Sequence, residues 1–317
     1  MRVLLLSAYA ARSHVHWRRS LQAMFPDWHW QVLELPPRHF SWRVRGNPLY
    51  WAQEERGLLE HEYDLLVATS MVDLATLRGL VPALARLPSA LYFHENQFVY
   101  PAGGGRHGLL EAQMVSIYSA LAADRVLFNS AYNRDSFLQG CASLLKRLPD
   151  YTPAETLARL RDTSQVLPVP FYHEEIQSGP PGWPGAGGEL PARPLRLAWL
   201  GRLEHDKGGD GLYRLLEQLE TLEVDYELAV VGQQFRELPR EFRQIQADFQ
   251  SRLVHFGYLE EAQAYRSLLR ATDIALSTAT HEFQGLAMLE AVAAGCLPLV
   301  PDRLAYCEIY PARFRYA

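Results

Sequence analysis

Short apolar runs and amphipathic stretches alternate along this chain in two series. In the first half, runs at 3–7, 30–35, 65–69, 90–94 and 125–129 read as strands, with helical patterns at 16–24, 73–84, 109–122 and from about 130 onward. Runs that short and that continuously apolar suit strands buried on both faces, as in a parallel sheet. A stretch dominated by proline and glycine follows, from 177 to about 194. It has no period and reads as an interdomain linker or a long exposed loop. The alternation then restarts, with strands at 195–200, 226–232, 253–256, 274–277 and 297–300 and helices at 211–222, 239–249, 260–270 and 285–294. The expected fold class is α/β: two doubly wound Rossmann-like domains facing a cleft, at 1–172 and 195–317, joined by a linker at 173–194.

Composition changes this picture little. A chain of 317 residues is long for one core, and 48% hydrophobic with 21% charged residues describes an ordinary globular protein. A net charge of −5 argues against a generally basic surface and leaves room for a local patch. Cys141, Cys296 and Cys307 are scattered without a C-x-x-C pair, so neither a disulfide framework nor a zinc site is expected, and a cytoplasmic location fits. The N-terminal run 3–6 stops at Ser7, which suits a buried strand better than a signal peptide. No run reaches the ~18 apolar residues of a membrane span, and no membrane partner is expected.

The densest chemistry lies between Thr280 and Pro301. Glu282 and Glu290 are separated by seven residues, and between them Gly285 opens an apolar helical run through Leu286. Glu282 then stands in the loop before a helix, and Glu290 lies roughly 7–8 Å along it. A helix N-terminus between two acids can hold a phosphate on its amides and sugar hydroxyls on its carboxylates. Gly201 to Gly209 follows directly on the strand 195–200, where ligands of open α/β sheets bind. Arg202 and Lys207 there could converge on a diphosphate and stabilise charge on a departing one, or could belong to a solvated charged turn.

In the first half, His94, Glu95, Asn96 and Gln97 occupy a strand's C-terminal end, with His94 placed as base, donor or sugar ligand. Asn129 and Ser130 repeat that placement one strand later, although Ser130 also suits an N-cap. The first loop carries Arg12, Ser13 and His14 without a glycine, so any phosphate contact there would come from side chains, unless Ser13 simply caps the helix. Arg38, Trp42, Arg43 and Arg45 interleave cations with aromatics, as in an RNA-contacting segment or an amphipathic one with buried rings. Residues 1–60 hold eight Arg and no Lys against five acids, a local +3. There is no D-x-D pair, no G-x-x-x-x-G-K-[ST] and no G-x-G-x-x-G after a strand, which argues against a P-loop or dinucleotide enzyme.

The segment His281-Glu282-Phe283-Gln284-Gly285 through Glu290 resembles the E-x7-E signature of retaining glycosyltransferases of family four, which have the GT-B fold. His94-Glu95-Asn96-Gln97 with Tyr100-Pro101, Phe128-Asn129-Ser130 with Asn133 and Ser136-Phe137-Leu138, Glu204-His205-Asp206-Lys207, and Gly257-Tyr258-Leu259 are similar to the tRNA-queuosine α-mannosyltransferase family, in order along nearly the whole chain. The resemblance implies transfer of mannose from GDP-mannose to queuosine in tRNA with retention, and no metal or other cofactor. It implies Glu282 on the donor sugar, the amides of Gln284, Gly285 and Leu286 on the distal phosphate, and Glu290 on the ribose. Arg202 and Lys207 would stabilise the leaving diphosphate, with base contacts around Gly232 and Gly257. His94 would approach the sugar from the acceptor side, where Glu95, Asn96, Gln97, Ser13, His14, Asn129 and Ser130 also lie. Arg38, Trp42, Arg43 and Arg45 are candidate tRNA contacts. GT-B chains usually continue past the fifth strand of the second domain with helices that cross back, so those helices are expected to be missing here and the donor domain truncated. Two other readings stay open: a hexosyltransferase of the same family acting on a lipid or small glycoside, and a non-catalytic nucleotide-sugar or tRNA-binding protein.

Overall fold

The computed structural model describes the chain except at residues 100–108, 151–152, 154, 172–175, 186, 190–191 and 235–236. Tyr100-Pro101 and the glycine-rich loop after 94–97 fall outside the described residues. Two compact units are present, Met1–Pro170 and Phe171–Ala317.

The first unit holds β1 (Arg2–Ser7), β2 (His29–Glu34), β3 (Leu65–Thr69), β4 (Ser89–Phe93), β5 (Arg125–Phe128) and β6 (Ser164–Val166). They form one parallel sheet in the order β2-β1-β3-β4-β5-β6. Val3, Leu4, Leu5 and Leu6 are all fully buried, which requires cover on both faces of the sheet. The second unit holds β7 (Leu195–Leu200), β8 (Tyr226–Val231), β9 (Leu253–Gly257), β10 (Ile274–Leu276), β11 (Leu297–Pro301) and β12 (Arg315–Tyr316). Its order is β12-β11-β10-β7-β8-β9, again all parallel. Successive residues of β7 go to opposite faces: Ala198 and Leu200 join one apolar cluster, Leu197 and Trp199 the other.

Several elements differ from the sequence expectation. The helix expected at 73–84 ends at Leu80, because Val81 precedes a proline and leaves the helical region; Pro82–Arg86 form a separate 3-10 turn. The first helix begins at Arg12 rather than 16, with Ala11 at its N-cap, so Ser13 lies inside the first turn and does not cap it. Residues 38–45 run into a helix, Phe40–Glu54, with Pro48 inside it. The Nδ2 of Asn47 donates to the carbonyls of Arg43 and Val44, and Val44 is the acceptor that Pro48 lacks an N–H to reach. Strands β6 and β12 were not expected; β12 gives the second sheet a sixth strand after the fifth. The Pro/Gly-rich stretch is largely exposed yet pinned to the second unit. Arg270 donates to the carbonyls of Ile176 and Pro180, Gly182 N–H to Ser267, and Arg193 grips Asp273 at 2.7 and 2.8 Å. The three cysteines are free, and no helix among the described residues is long and apolar enough to cross a membrane.

Candidate active site

In the second sheet the strand order reverses between β7 and β10. Loops leaving the C-terminal ends of strands that flank such a reversal open into a crevice. The loop after β7 carries Gly201, Arg202 and Glu204 into a 3-10 turn, His205–Lys207. The loop after β10 runs from Ser277 to Gly285 and enters the helix Leu286–Ala293. Backbone and side-chain bonds stitch the two together: the N–H groups of Thr280 and His281 donate to the Asp206 carbonyl, and Thr278 Oγ1 donates to Lys207 O. Across this seam Lys207 Nζ donates to Glu282 Oε2 at 2.9 Å and to the His281 carbonyl at 3.0 Å. Lys207 retains 13% of its side-chain exposure and Glu282 22%, so the pair is mostly desolvated with one open side.

Burial pushes the Glu282 carboxyl up, but the Lys207 charge and hydrogen bond, helped by the backbone N–H groups of Gln284 and Gly285, outweigh it and hold the group below the usual carboxylate range. Glu282 is therefore an ionised acceptor. Its Oε1 draws the N–H groups of Phe283 at 3.1 Å and Gln284 at 3.4 Å. The N–H groups of Leu286 and Ala287 precede the first intrahelical bonds, which close from Met288 and Leu289 onto Gly285 O. Gly285 takes a left-handed φ of 75°, and a Cβ there would meet Tyr306 Cε1 at 2.8 Å. Glu290 lies further into the helix, where Tyr265 donates to its Oε2 at 2.8 Å. Arg202 is turned toward Asp206 at 3.1 Å and Glu204 at 3.2 Å, and Lys207 pairs with Glu282 at 2.9 Å.

A cavity of about 380 Å³ opens beyond β8 and β9, lined by Gly232, Gln233, Gln234, Gln246, Gly257 and Tyr258 with Leu203, Leu238 and Phe256. Gly232 brings the backbone so close to Gly201 that a Cβ would stand 1.6 Å from the Gly201 carbonyl oxygen. Gln233 Oε1 is buried without a hydrogen-bond partner among the described residues. The cavity thus presents mostly polar groups, glutamine amides among them, beside a few apolar side chains.

The first unit carries a different set. His94 follows β4 directly, and His14 comes from the helix Arg12–Met24. Their rings stack with centroids 4.0 Å apart and planes 21° from parallel, with Trp17 edge-on to His94 at 5.1 Å. His14 Nε2 lies 3.4 Å from Glu95 Oε2. Burial, with the His14 and His16 rings beside it, pushes His94 well below the ordinary histidine value, so its imidazole is neutral. His94 Nε2 is buried with no hydrogen-bond partner among the described residues.

The other strand-end residues hold the backbone. Asn96 Nδ2 donates to Asn133 and Ser136, Asn133 Nδ2 to Asn129 and the Phe93 carbonyl, and Asn129 Nδ2 to the His94 carbonyl. Ser130 caps the helix Ala131–Leu145 through the N–H of Asn133. Gln97 is buried and its carbonyl accepts from Gln113. Asn96, Asn129 and Ser130, expected as acceptor groups, are thus committed to a buried network that fixes the loop bearing His94 and Glu95. Asn133 and Ser136 belong to the same network and were noticed only as part of a family pattern.

Two family models cover the chain: tRNA-queuosine alpha-mannosyltransferase N-terminal over residues 2–171, and Glycosyl transferases group 1 over residues 188–312. The tRNA-queuosine alpha-mannosyltransferase of Drosophila melanogaster is 38% identical over 289 residues, which is 90% of this chain and 75% of that protein. The chain belongs to the tRNA-queuosine alpha-mannosyltransferase family. Solved structures with the same fold include Anabaena HepE in complex with UDP (TM-score 0.64, 15% identity, 98% of this chain and 83% of that one). Another is the E. coli trehalose-6-phosphate protein bound with UDP-2-fluoro glucose (TM-score 0.64, 13% identity, 97% and 86%). At that identity they establish the architecture, the GT-B fold of two Rossmann-like units. Within this family member, the residues that sequence reasoning missed are Tyr265 and the glutamines 233, 234 and 246. Tyr265 sits inside a helix and Gln246 inside another, so only the folded chain brings them to the site.

Proposed function

We propose that the protein is a cytoplasmic, metal-independent, retaining mannosyltransferase that moves mannose from GDP-mannose to the cyclopentenediol of queuosine in tRNA. The Lys207–Glu282 pair carries this reading. It stands at the strand-order reversal of the second sheet, beside a helix N-terminus, in a chain of this family. The distal phosphate of the donor binds the N–H groups of Leu286 and Ala287, because those of Gln284 and Gly285, expected there, are turned to the Glu282 carboxylate. Lys207 and Arg202 neutralise the diphosphate as it leaves, the role otherwise filled by a divalent cation. Ionised Glu282 accepts hydrogen bonds from the sugar hydroxyls, and Glu290, set in orientation by Tyr265, accepts from the ribose. The nucleobase lies in the cavity between Gly232 and Gly257, where the glutamine amides offer both donors and acceptors to its polar edge.

Retention follows from attack on the face the diphosphate leaves. The bond from the anomeric carbon to phosphate oxygen breaks, the bond to the acceptor oxygen forms, and the acceptor proton passes to the departing phosphate oxygen. Glu282 is already bound to Lys207 and to backbone N–H groups, which suits orientation of hydroxyls rather than nucleophilic attack. Neutral His94 contributes a hydrogen-bonding group on the acceptor side, with His14 and Glu95 behind it. Calorimetric titration with GDP-mannose and, separately, with UDP-glucose tests the donor half. GDP-mannose should bind more tightly, and Lys207→Ala should remove most of that binding. Preference for UDP-glucose would reassign the donor.

A further inference from the structure

One face of the helix Phe40–Glu54 has no use in the scheme above. Trp42, Arg45 and Leu49 follow one another at helical spacing along it. Trp42 is 57% exposed although it is one of the largest apolar side chains, and Leu49 is also 57% exposed. The indole is not loose. It lies flat on Gly46, where a Cβ would stand 2.5, 2.7 and 2.8 Å from its Cε2, Cζ2 and Cδ2 atoms. Glycine at 46 is what lets the ring rest on the helix with its other face open. One turn along, Arg45 is 51% exposed but held, its Nη1 donating at 2.7 Å to Asp73, whose side chain is 3% exposed and also caps the helix Leu74–Leu80. Arg38 is exposed just before the helix. From Leu35 to Gln53 there are three arginines and neither Asp nor Glu. The helix follows β2 and so starts at the carboxyl end of the parallel strands, the end that also carries His94 and His14, and Phe40 touches Tyr9 of the loop after β1 edge-on at 6.2 Å.

We infer that this surface is where the tRNA acceptor docks, with an unpaired base next to the modified nucleoside stacking on Trp42 and the adjoining phosphates paired with Arg45 and Arg38. A half-exposed indole packed on Gly46, beside the held guanidinium of Arg45 and the exposed Arg38, supplies the two elements that hold single-stranded nucleic acid: a π-face for a base and cations for the backbone. An apolar protein partner would be served by Leu49 and Trp42 alone and would gain nothing from an acid-free run of arginines. This inference rests on the proposed acceptor being tRNA.

The test measures affinity for queuosine-containing tRNA by fluorescence anisotropy and, in parallel, KM and kcat for mannose transfer. Trp42→Ala should weaken tRNA binding roughly 5- to 150-fold, the span measured for loss of one stacked base. The change should appear in KM more than in kcat. Trp42→Phe should recover most of it, whereas Trp42→Leu, apolar but without a π-face, should not. Arg38→Ala should lower the slope of log affinity against log salt by about one. Leu222→Ala, an exposed residue of the second unit, is the unchanged control. Full-strength binding by Trp42→Ala, alongside mannose transfer by the wild type, would overturn this inference and leave the proposed function standing. Rescue of tRNA binding by Trp42→Leu would overturn base stacking on Trp42, because an apolar side chain without a π-face would then suffice. A wild type that binds queuosine-tRNA without transferring mannose would overturn the proposed function, and the same binding comparison would still decide the inference.

Discussion

The two units share one architecture and differ in what they place at the ends of their strands. Both are six-stranded parallel sheets covered on both faces. The second unit ends its strands in glycines that let backbone approach backbone, a desolvated Lys207–Glu282 ion pair and a helix N-terminus. In the proposed function these bind the dianionic diphosphate of the donor and its sugar. The first unit ends its strands in neutral His94 stacked on His14, buried asparagines and, nearby, an exposed tryptophan. No glycine-rich turn follows β1, and the helix there starts from Ala11 without a side-chain cap. A strand end that holds charge needs paired ions and free amides. One that presents a hydroxylated acceptor needs neutral hydrogen-bonding groups in a rigid frame.

The largest expected effect lies on the charged side. Lys207→Ala should lower the rate of transfer by about 10²–10³-fold or more, as loss of one preorganised charge-stabilising group does. Steady-state kinetics read this, and circular dichroism should show the fold intact. A variant with near-normal kcat would remove Lys207 from the chemistry. Next comes the claim that the asparagines of the first unit are structural. Asn133→Ala should cost about 1–3 kcal/mol of stability by stranding buried partners on Asn129, Asn96 and the Phe93 carbonyl. Chemical denaturation measures that loss. If Asn133→Ala instead leaves stability unchanged and abolishes transfer, the network is part of the acceptor site and the contrast between the units narrows.

His94 gives a pH test of the first unit. Its folded value lies well below its ordinary 6.5 because the buried ring resists charge. Between those two values the unfolded chain binds a proton that the folded chain does not. Stability should therefore fall as pH drops below about 6.5, by ~1.4 kcal/mol per pH unit for this one group, and the loss should stop growing below the folded value. Denaturation midpoints across pH 7.5 to 5 follow this, and His94→Asn should flatten the dependence. Gly285→Ala forces a side chain into left-handed backbone at a cost of about 1–2 kcal/mol, to which the 2.8 Å approach of the new Cβ to buried Tyr306 adds. In the second unit that strain should raise KM for the donor. An unchanged donor KM would mean the N-terminus of Leu286–Ala293 makes no contact with the diphosphate.

Most of the sheet was legible in the sequence because parallel strands buried on both faces leave continuous apolar runs. Strands 65–69 and 195–200 match residue for residue. The strands missed are the ones without that signature: Ser164–Val166 at a sheet edge and the two-residue Arg315–Tyr316. The helix Phe40–Glu54 was hidden by an interior proline whose missing hydrogen bond is replaced by Asn47, an arrangement visible only after folding. At the site, Lys207, Glu282, Gly285 and Glu290 were readable because spacing puts them on strand-end loops and one helix. The roles of Asn96, Asn129 and Ser130 were not, because a polar residue at a strand end looks the same whether it faces solvent or a buried backbone. Gln233, Gln234 and Gln246 carry no spacing at all, since they meet only through the fold around β8 and β9.

The central claim is that the donor half of the second unit and the strand ends of the first serve one transfer to queuosine. Incubation of the protein with GDP-mannose and queuosine-containing tRNA, followed by mass spectrometry of the released nucleosides, tests it most directly. The account predicts a gain of one hexose on queuosine that depends on Lys207 and leaves tRNA lacking queuosine unmodified. Queuosine recovered without added hexose would contradict it.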